Sequence, residues 1–334
     1  MAGYCTGNSS VVFEVLTDDG RHLGLKCYTR PKEHLEAIYG DALLREELYV
    51  FTGDGGVWID VAALDWVDGR TLGETIKTAA EAGDTALLAA LATRFDRMAL
   101  DMLARDWAHG DLKPDNIIVT PDGGLQLIDF DAVYTPQLQH CRSCELGTAA
   151  WQHPSRSLAD YDRHLDDYPI ALISTLLHAL AIDPAGLMRY ADADGMPLDS
   201  RRMTEGCSEA LEYVERLFAR RCMAAQYRVA GLLRSRAYIL PQLAEYLEYG
   251  VNDTDRAAAV CGDSDANLCR TLCGGCGERP ELTMRGGLYG YECCGRMLLP
   301  PLFDDVTGLK DGIAEVVLGG TKHKSYVKCV KTEH

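Results

Sequence analysis

The stretch from His109 to Asp131, HGDLKPDNIIVTPDGGLQLIDFD, constrains this chain more than any other. Two short apolar runs, IIV and LQLI, flank the turn residues Pro-Asp-Gly-Gly, which is the pattern of a β-hairpin. Asp111, Lys113 and Asn116 precede the first strand, and Asp129 closes the second. A hairpin returns the chain to where it started, so Asn116 and Asp129 are expected side by side. An amide oxygen beside a carboxylate is a hard ligand pair suited to magnesium. Asp111 can accept the proton of an attacking hydroxyl, and Lys113 can lie along a transferring phosphate. Phosphoryl transfer asks for little else, because the protein's task there is alignment and charge neutralisation.

The residues before this stretch alternate strand and turn signals. VVFEVLTDDGRHLGLKCYT at 11–29 reads as a hairpin around Asp-Asp-Gly, and ELYVFTGDGGVWIDVAAL at 47–64 repeats the pattern. PKEHLEAIYGDALL between them, with Leu35, Ile38 and Leu43 near helical spacing, is expected to form one short helix. Beyond Gly69 the pattern turns helical. Asp84 can cap a helix with Leu87, Leu88, Leu91, Phe95, Met98 and Met102 on one face. Further helices are expected over 166–181, through SEALEYVERLFARRCMAAQ and through VAGLLRSRAYIL.

HGDLKPDN resembles the catalytic loop of the protein kinase superfamily, and IDFD resembles its Asp-Phe-Gly metal motif. Other segments resemble the family in the same order: Lys26 in LGLKCY the third-strand lysine, DWVDGRTL the hinge, and GTAAWQHP the end of the activation segment. DDYPIALISTLLHAL resembles the buried helix whose leading aspartate, here Asp166, holds the catalytic loop. The resemblance covers about residues 1–245 and implies an α+β, bilobal kinase-like fold, with a β-rich N-lobe at 1–66 and a helical C-lobe at 67–248. It implies ATP and Mg2+ as cofactors, Asp111 and Lys113 as catalytic residues, and Asn116 and Asp129 as metal ligands. Nucleotide contacts are implied for Lys26, Gly7, Leu64 and Trp66, with Glu36 as the carboxylate that steadies Lys26, ahead of Glu33, Glu46 or Glu47. Lys113, two positions after Asp111, favours serine or threonine of a protein substrate. Asp131 in place of glycine points instead toward small-molecule kinases.

Several positions depart from the family pattern. Gly110 replaces an arginine, so loop phosphorylation would lack that partner. Thr148, Ser143 and Ser155 are read as ordinary loop hydroxyls, and Ser155 replaces a glutamate that Arg228 would otherwise pair. GYCTGNSSVVFEV has only Gly3 and Gly7 where a fuller glycine-rich loop is usual. A pseudokinase scaffold, which binds partners without phosphotransfer, is therefore the second reading.

The polar, cysteine-rich stretch at 249–281 reads as a linker. Cys273-Gly-Gly-Cys276, with Cys269 and Cys293, has the spacing of a structural Zn2+ site. Adjacent Cys293 and Cys294 would point to opposite faces of a strand, and reduced thiols are the preferred reading. Cys141-Arg-Ser-Cys144 is given the same reading. Residues 282–334 resemble one WG-type β repeat, with Tyr289-Gly290 in place of Trp-Gly. One copy buries little alone, so it is expected to pack on the kinase-like body or to meet a protein partner.

Fifty acidic against thirty-three basic residues give a formal charge of -17, which argues against nucleic acid and anionic membrane surfaces. The first residues lack a secretory pattern, and YPIALISTLLHALAI is too short and too polar for a membrane span. A cytoplasmic location is expected, where the thirteen cysteines would stay reduced.

Overall fold

The turn at Asp18-Asp19-Gly20 closes with Gly20 N–H donating to the Thr17 carbonyl at 2.9 Å, and it sets the register of the first hairpin. The computed structural model describes residues 4–6, 10–51, 53, 55–193, 195–259, 268–274, 279–310 and 312–330, of which 4–6, 253–259, 268–274, 326 and 328–330 are described through the backbone alone. The chain is mixed α and β, with several small, mainly antiparallel sheets. It divides into two compact units: residues 1–75, 106–148 and 156–166, and residues 76–105, 149–155 and 167–334.

In the first unit, β1 (Tyr4–Thr6), β2 (Ser10–Leu16), β3 (His22–Tyr28), β4 (Leu43–Phe51) and β5 (Gly56–Asp65) form a five-stranded sheet in the order β1-β2-β3-β5-β4. β2 and β3 pair from Ser10↔Tyr28 to Leu16↔His22, as the turn chemistry predicts. The helix expected over PKEHLEAIYGDALL is shorter than its apolar spacing implied. Helix α1 spans Leu35–Tyr39, a single 3-10 turn covers Gly40–Ala42, and Leu43 already opens β4. Gly40 ends the helix by taking a positive φ of 50°, which a residue with a side chain rarely adopts. Leu35 and Leu43 still meet Tyr28 and Ala62 in one small core, whereas Ile38 packs with Ala108, Leu138, Tyr161 and Leu165. β6 (Arg70–Thr71), β7 (Ile117–Val119) and β8 (Leu125–Leu127) form a second sheet, and α2 spans Leu72–Ala82.

The second unit is built on two helices. α3 (Thr85–Leu103) starts where Asp84 Oδ1 accepts from Leu87 N–H at 3.0 Å. Its buried face carries Leu88, Leu91, Phe95 and Met102, with Leu87 and Met98 at the margin. α4 (Asp167–Leu180) is buried along its whole length, as expected of a helix apolar nearly all round. Of its polar side chains, Ser174 and His178 both bond Asp96 of α3, at 2.6 and 2.7 Å, whereas the Thr175 hydroxyl is buried without a hydrogen-bond partner among the described residues. α5 (Pro184–Met188), α6 (Ser200–Thr204), α7 (Glu209–Arg220), α8 (Ala224–Leu232) and α9 (Leu243–Ala259) follow. The run expected as helix through residue 226 breaks at Cys222, whose φ is 55°. Residues 233–240 are not helical; there Leu240 N–H donates to Asp167 at 2.8 Å. α9 continues well past Tyr249, where the polar composition suggested a linker.

The C-terminal strands are β9 (Leu268–Gly274), β10 (Glu281–Arg285), β11 (Leu288–Cys293), β12 (Arg296–Phe303), β13 (Asp305–Lys310), β14 (Ile313–Leu318) and β15 (Thr321–Val330). They form the sheets β10-β11-β12 and β13-β14-β15-β9, the last pair parallel. Gly290 is required there, because a Cβ would lie 2.3 Å from the Leu299 carbonyl oxygen. The strands share an apolar core of Tyr291, Leu298, Leu302, Phe303 and Val316 with Ala224 and Ala225 of α8. Alanines let the sheet approach the helix closely. Arg228 then donates to the Leu302 carbonyl and to Asp304, both at 2.7 Å, and so holds the β strands to α8. Among the described residues, no helix is long and apolar enough to cross a membrane.

Candidate active site

The hairpin at 117–127 brings its two polar clusters together. β7 and β8 pair Ile117↔Leu127, and Ile128 N–H donates to the Asn116 carbonyl at 2.9 Å, so Asp129 follows directly on the residue bonded to Asn116. Asp129 has a positive φ of 65°, a backbone state uncommon outside glycine and found where a side chain must be aimed. Its carboxylate is 43% exposed, so solvent and solutes reach it.

Asp111 is buried and its carboxylate is held on both oxygens. Thr148 N–H donates to Oδ1 at 2.6 Å, Lys113 Nζ lies 3.0 Å from Oδ2, and Asn116 Nδ2 lies 3.2 Å from the same oxygen. Lys113 also donates to the Thr148 hydroxyl at 2.8 Å, so Thr148 contributes to the site through both its backbone and its side chain. Asn116 Nδ2 donates to the Asp111 carbonyl as well, at 2.8 Å, which leaves its amide oxygen as an acceptor for another group.

The backbone of this loop is fixed from beneath. Asp166 accepts from the N–H groups of His109 and Gly110, the role expected of it, and its burial pushes the carboxyl up despite these donors. His109 Nε2 meets the Ile128 carbonyl at 2.8 Å and braces the hairpin. Gly110 has φ 80°, and a Cβ there would lie 2.1 Å from the Ala132 carbonyl oxygen; no arginine fits at this position. An arginine reaches the loop from elsewhere: buried Arg156 donates through Nη1 to the Gly110 carbonyl at 2.6 Å.

Lys26, on β3, is buried and forms ion pairs with Asp129 and, at 2.7 Å, with Asp131. The expected Lys26–Glu36 pair is not formed. α1 is one short turn that directs Leu35 into the core and Glu36 to solvent, where its 83%-exposed carboxylate meets Arg45 at 3.3 Å. Asp131 takes the lysine instead. It also pairs with Lys32 at 2.6 Å and accepts from the hydroxyls of Tyr28 at 2.8 Å and Tyr39 at 2.6 Å. Burial pushes the Asp131 carboxyl up, but Lys26, Lys32 and Tyr39 outweigh it and hold it down at about 2. The same burial and the same carboxylate push the Tyr28 and Tyr39 hydroxyls up, so both remain protonated donors.

Leu64 pairs with Gly24 across β3 and β5, and Trp66 stacks on His22 with ring centroids 5.6 Å apart. Both border the strand that carries Lys26. Gly7 and Cys276 lie outside the described residues, as do the side chains of Cys269 and Cys273. Cys293 is buried, and its Sγ lies 3.9 Å from that of Cys294. The two thiols do not face apart as expected, because Cys294 has φ 50° and turns the strand.

Asp131 was visible in the sequence as a departure from glycine, but Lys32, Tyr28, Tyr39 and Arg156 carried no signal of their own. Their approach depends on contacts some 50 to 100 positions apart in the chain. No protein-family model and no curated protein matches this chain.

Proposed function

We propose that this protein is an ATP- and Mg2+-dependent phosphotransferase of bilobal, protein-kinase-like architecture, acting on a hydroxyl of a protein substrate. The observation that carries this reading is the convergence of Lys26, Asp111, Lys113, Asn116 and Asp129 within one compact unit. Asp111, held on both oxygens, presents a fixed acceptor for a hydroxyl proton. Lys113 sits beside it as a cation able to offset charge on a transferring phosphoryl group. Asn116 and Asp129 fit a magnesium ion: an amide oxygen left without its amine's partners and a solvent-reachable carboxylate are both hard donors. When bound, magnesium would supply charge neutralisation at the phosphates. Lys26 provides a buried ammonium for the upstream phosphates, and Asp131 holds it in place.

Transfer of labelled phosphate from Mg-ATP to the protein itself, to generic proteins and to small hydroxylated metabolites tests the reading. Asp111→Asn is expected to lower transfer by about 10²–10⁴-fold without loss of folding. Mg-ATP is expected to raise the melting temperature of wild type, and less so that of Asp129→Asn. Absence of both transfer and a thermal shift at millimolar nucleotide would overturn the proposal and favour a scaffold.

A further inference from the structure

The chain holds a second group of chemically active side chains that the proposed phosphotransfer does not use. Glu33, His34 and Cys144 each offer a ligand atom, and these atoms all lie within 4.8 Å of one another. Glu33 and His34 are consecutive, yet their side chains turn to the same side, because His34 takes a left-handed φ of 64°. The carboxylate and imidazole are 3.8 Å apart, and the Cys144 thiol lies 3.8 Å from the Glu33 carbonyl oxygen.

We infer that Glu33, His34 and Cys144 form a binding site for a zinc ion, with water in the fourth position. A thiolate, an imidazole and a carboxylate are the donors zinc prefers, whereas magnesium and calcium take oxygen alone. Ligand atoms of a tetrahedral zinc site lie about 3.3–3.8 Å apart, as follows from its bond lengths. Closing this group around an ion therefore takes a movement of about 1 Å, and the Glu33 side chain, 82% exposed, is free to make it.

The frame is already built. Lys32 bonds Glu145 at 3.3 Å, and each is the chain neighbour of a ligand, so the two segments are held together before any ion arrives. His34 also lines an open surface cleft of ≈ 440 Å³ with Lys32, Leu35 and Arg45. The Cys144 thiol releases its proton to solvent as the sulfur–zinc bond forms. The bound ion would link the segment before α1 to the segment that runs on to Thr148. The inference does not depend on phosphotransfer and stands or falls separately.

The test uses the reduced, chelator-treated full chain. Titration with Co2+ is expected to give thiolate-to-cobalt absorption that Zn2+ displaces, with one equivalent fewer in Cys144→Ser. Affinity for that equivalent should fall at least ~100-fold in His34→Gln, and Cys207→Ser should bind as wild type. The cysteine-rich stretch near Cys273 can take its own ion, so both readouts are differences assigned to Cys144. A second measurement needs no variant: saturating Zn2+ should slow alkylation of Cys144, mapped by peptide mass, at least ~tenfold and leave Cys207 unchanged. Equal alkylation of Cys144 with and without zinc, or as many equivalents bound by Cys144→Ser as by wild type, would overturn the assignment.

Discussion

Asp131 in the first unit and Asp96 in the second are both buried carboxylates, 3% and 2% exposed, and they are satisfied in opposite ways. Asp96 meets one serine and one histidine, both on α4, a helix buried along its whole length among its neighbours. Asp131 meets two lysines and two tyrosines drawn from β3, α1 and the segment before α1. The first arrangement fastens two helices through two hydrogen bonds to one carboxylate. The second gathers charge where apolar side chains of similar volume would often be as stable or more so. Around Asp96 the unit is otherwise apolar, with α4 buried throughout. Around Asp131 stand Lys26, Lys32, Asp129 and Glu145, a concentration of buried and half-buried charge that folding alone does not require.

That contrast is open to direct attack. The largest effect is expected from Phe303→Ala, which empties the core shared by the C-terminal strands and α8 and should cost about 3–5 kcal/mol by calorimetry. Because the loss is one of packing, it should hardly change between pH 7 and pH 3; a steep pH dependence would break the distinction.

Asp131→Asn is expected to cost about 2–3 kcal/mol at neutral pH, with a further loss of the proposed nucleotide binding as Lys26 loses one of its two carboxylate partners. Its carboxyl is depressed from an ordinary 3.8 to about 2, so its stabilisation is full above pH 4 and is lost as pH falls through 2. The difference between wild type and Asp131→Asn should therefore shrink over that interval. A difference that stays constant there would show that the carboxylate's charge is not what the site uses.

The smallest effect sharpens the comparison by exclusion. Glu36→Gln removes an exposed carboxylate that, among the described residues, pairs with exposed Arg45, and should change stability by less than about 0.5 kcal/mol. Nucleotide affinity should be unaltered, measured by the Mg-ATP thermal shift. A large loss would restore Glu36 as the partner of Lys26 and demote Asp131.

Local chemistry made much of this molecule readable without coordinates. The hairpins at 10–28 and 117–127, the capping of α3 by Asp84 and the buried α4 all follow from turn residues and apolar periodicity within a few positions. The approach of Asn116 and Asp129 belongs with them, because a hairpin turn alone enforces it. Where a fate rested on a left-handed backbone residue, local pattern misled: Gly40 shortened α1, Cys222 divided α7 from α8, and Cys294 turned two thiols together.

The residues from His109 to Asp131 were sufficient to bring Asn116 beside Asp129, because the two flank one hairpin. Which carboxylate holds Lys26, which arginine supports Gly110, and what brings Cys144 to His34 were decided only by the folded chain. Each joins segments far apart in sequence, and the loop closure that unites them is driven by the burial of apolar neighbours such as Tyr28, Leu35 and Leu43. Periodicity registers that burial as a face, but it carries no record of what the face will meet.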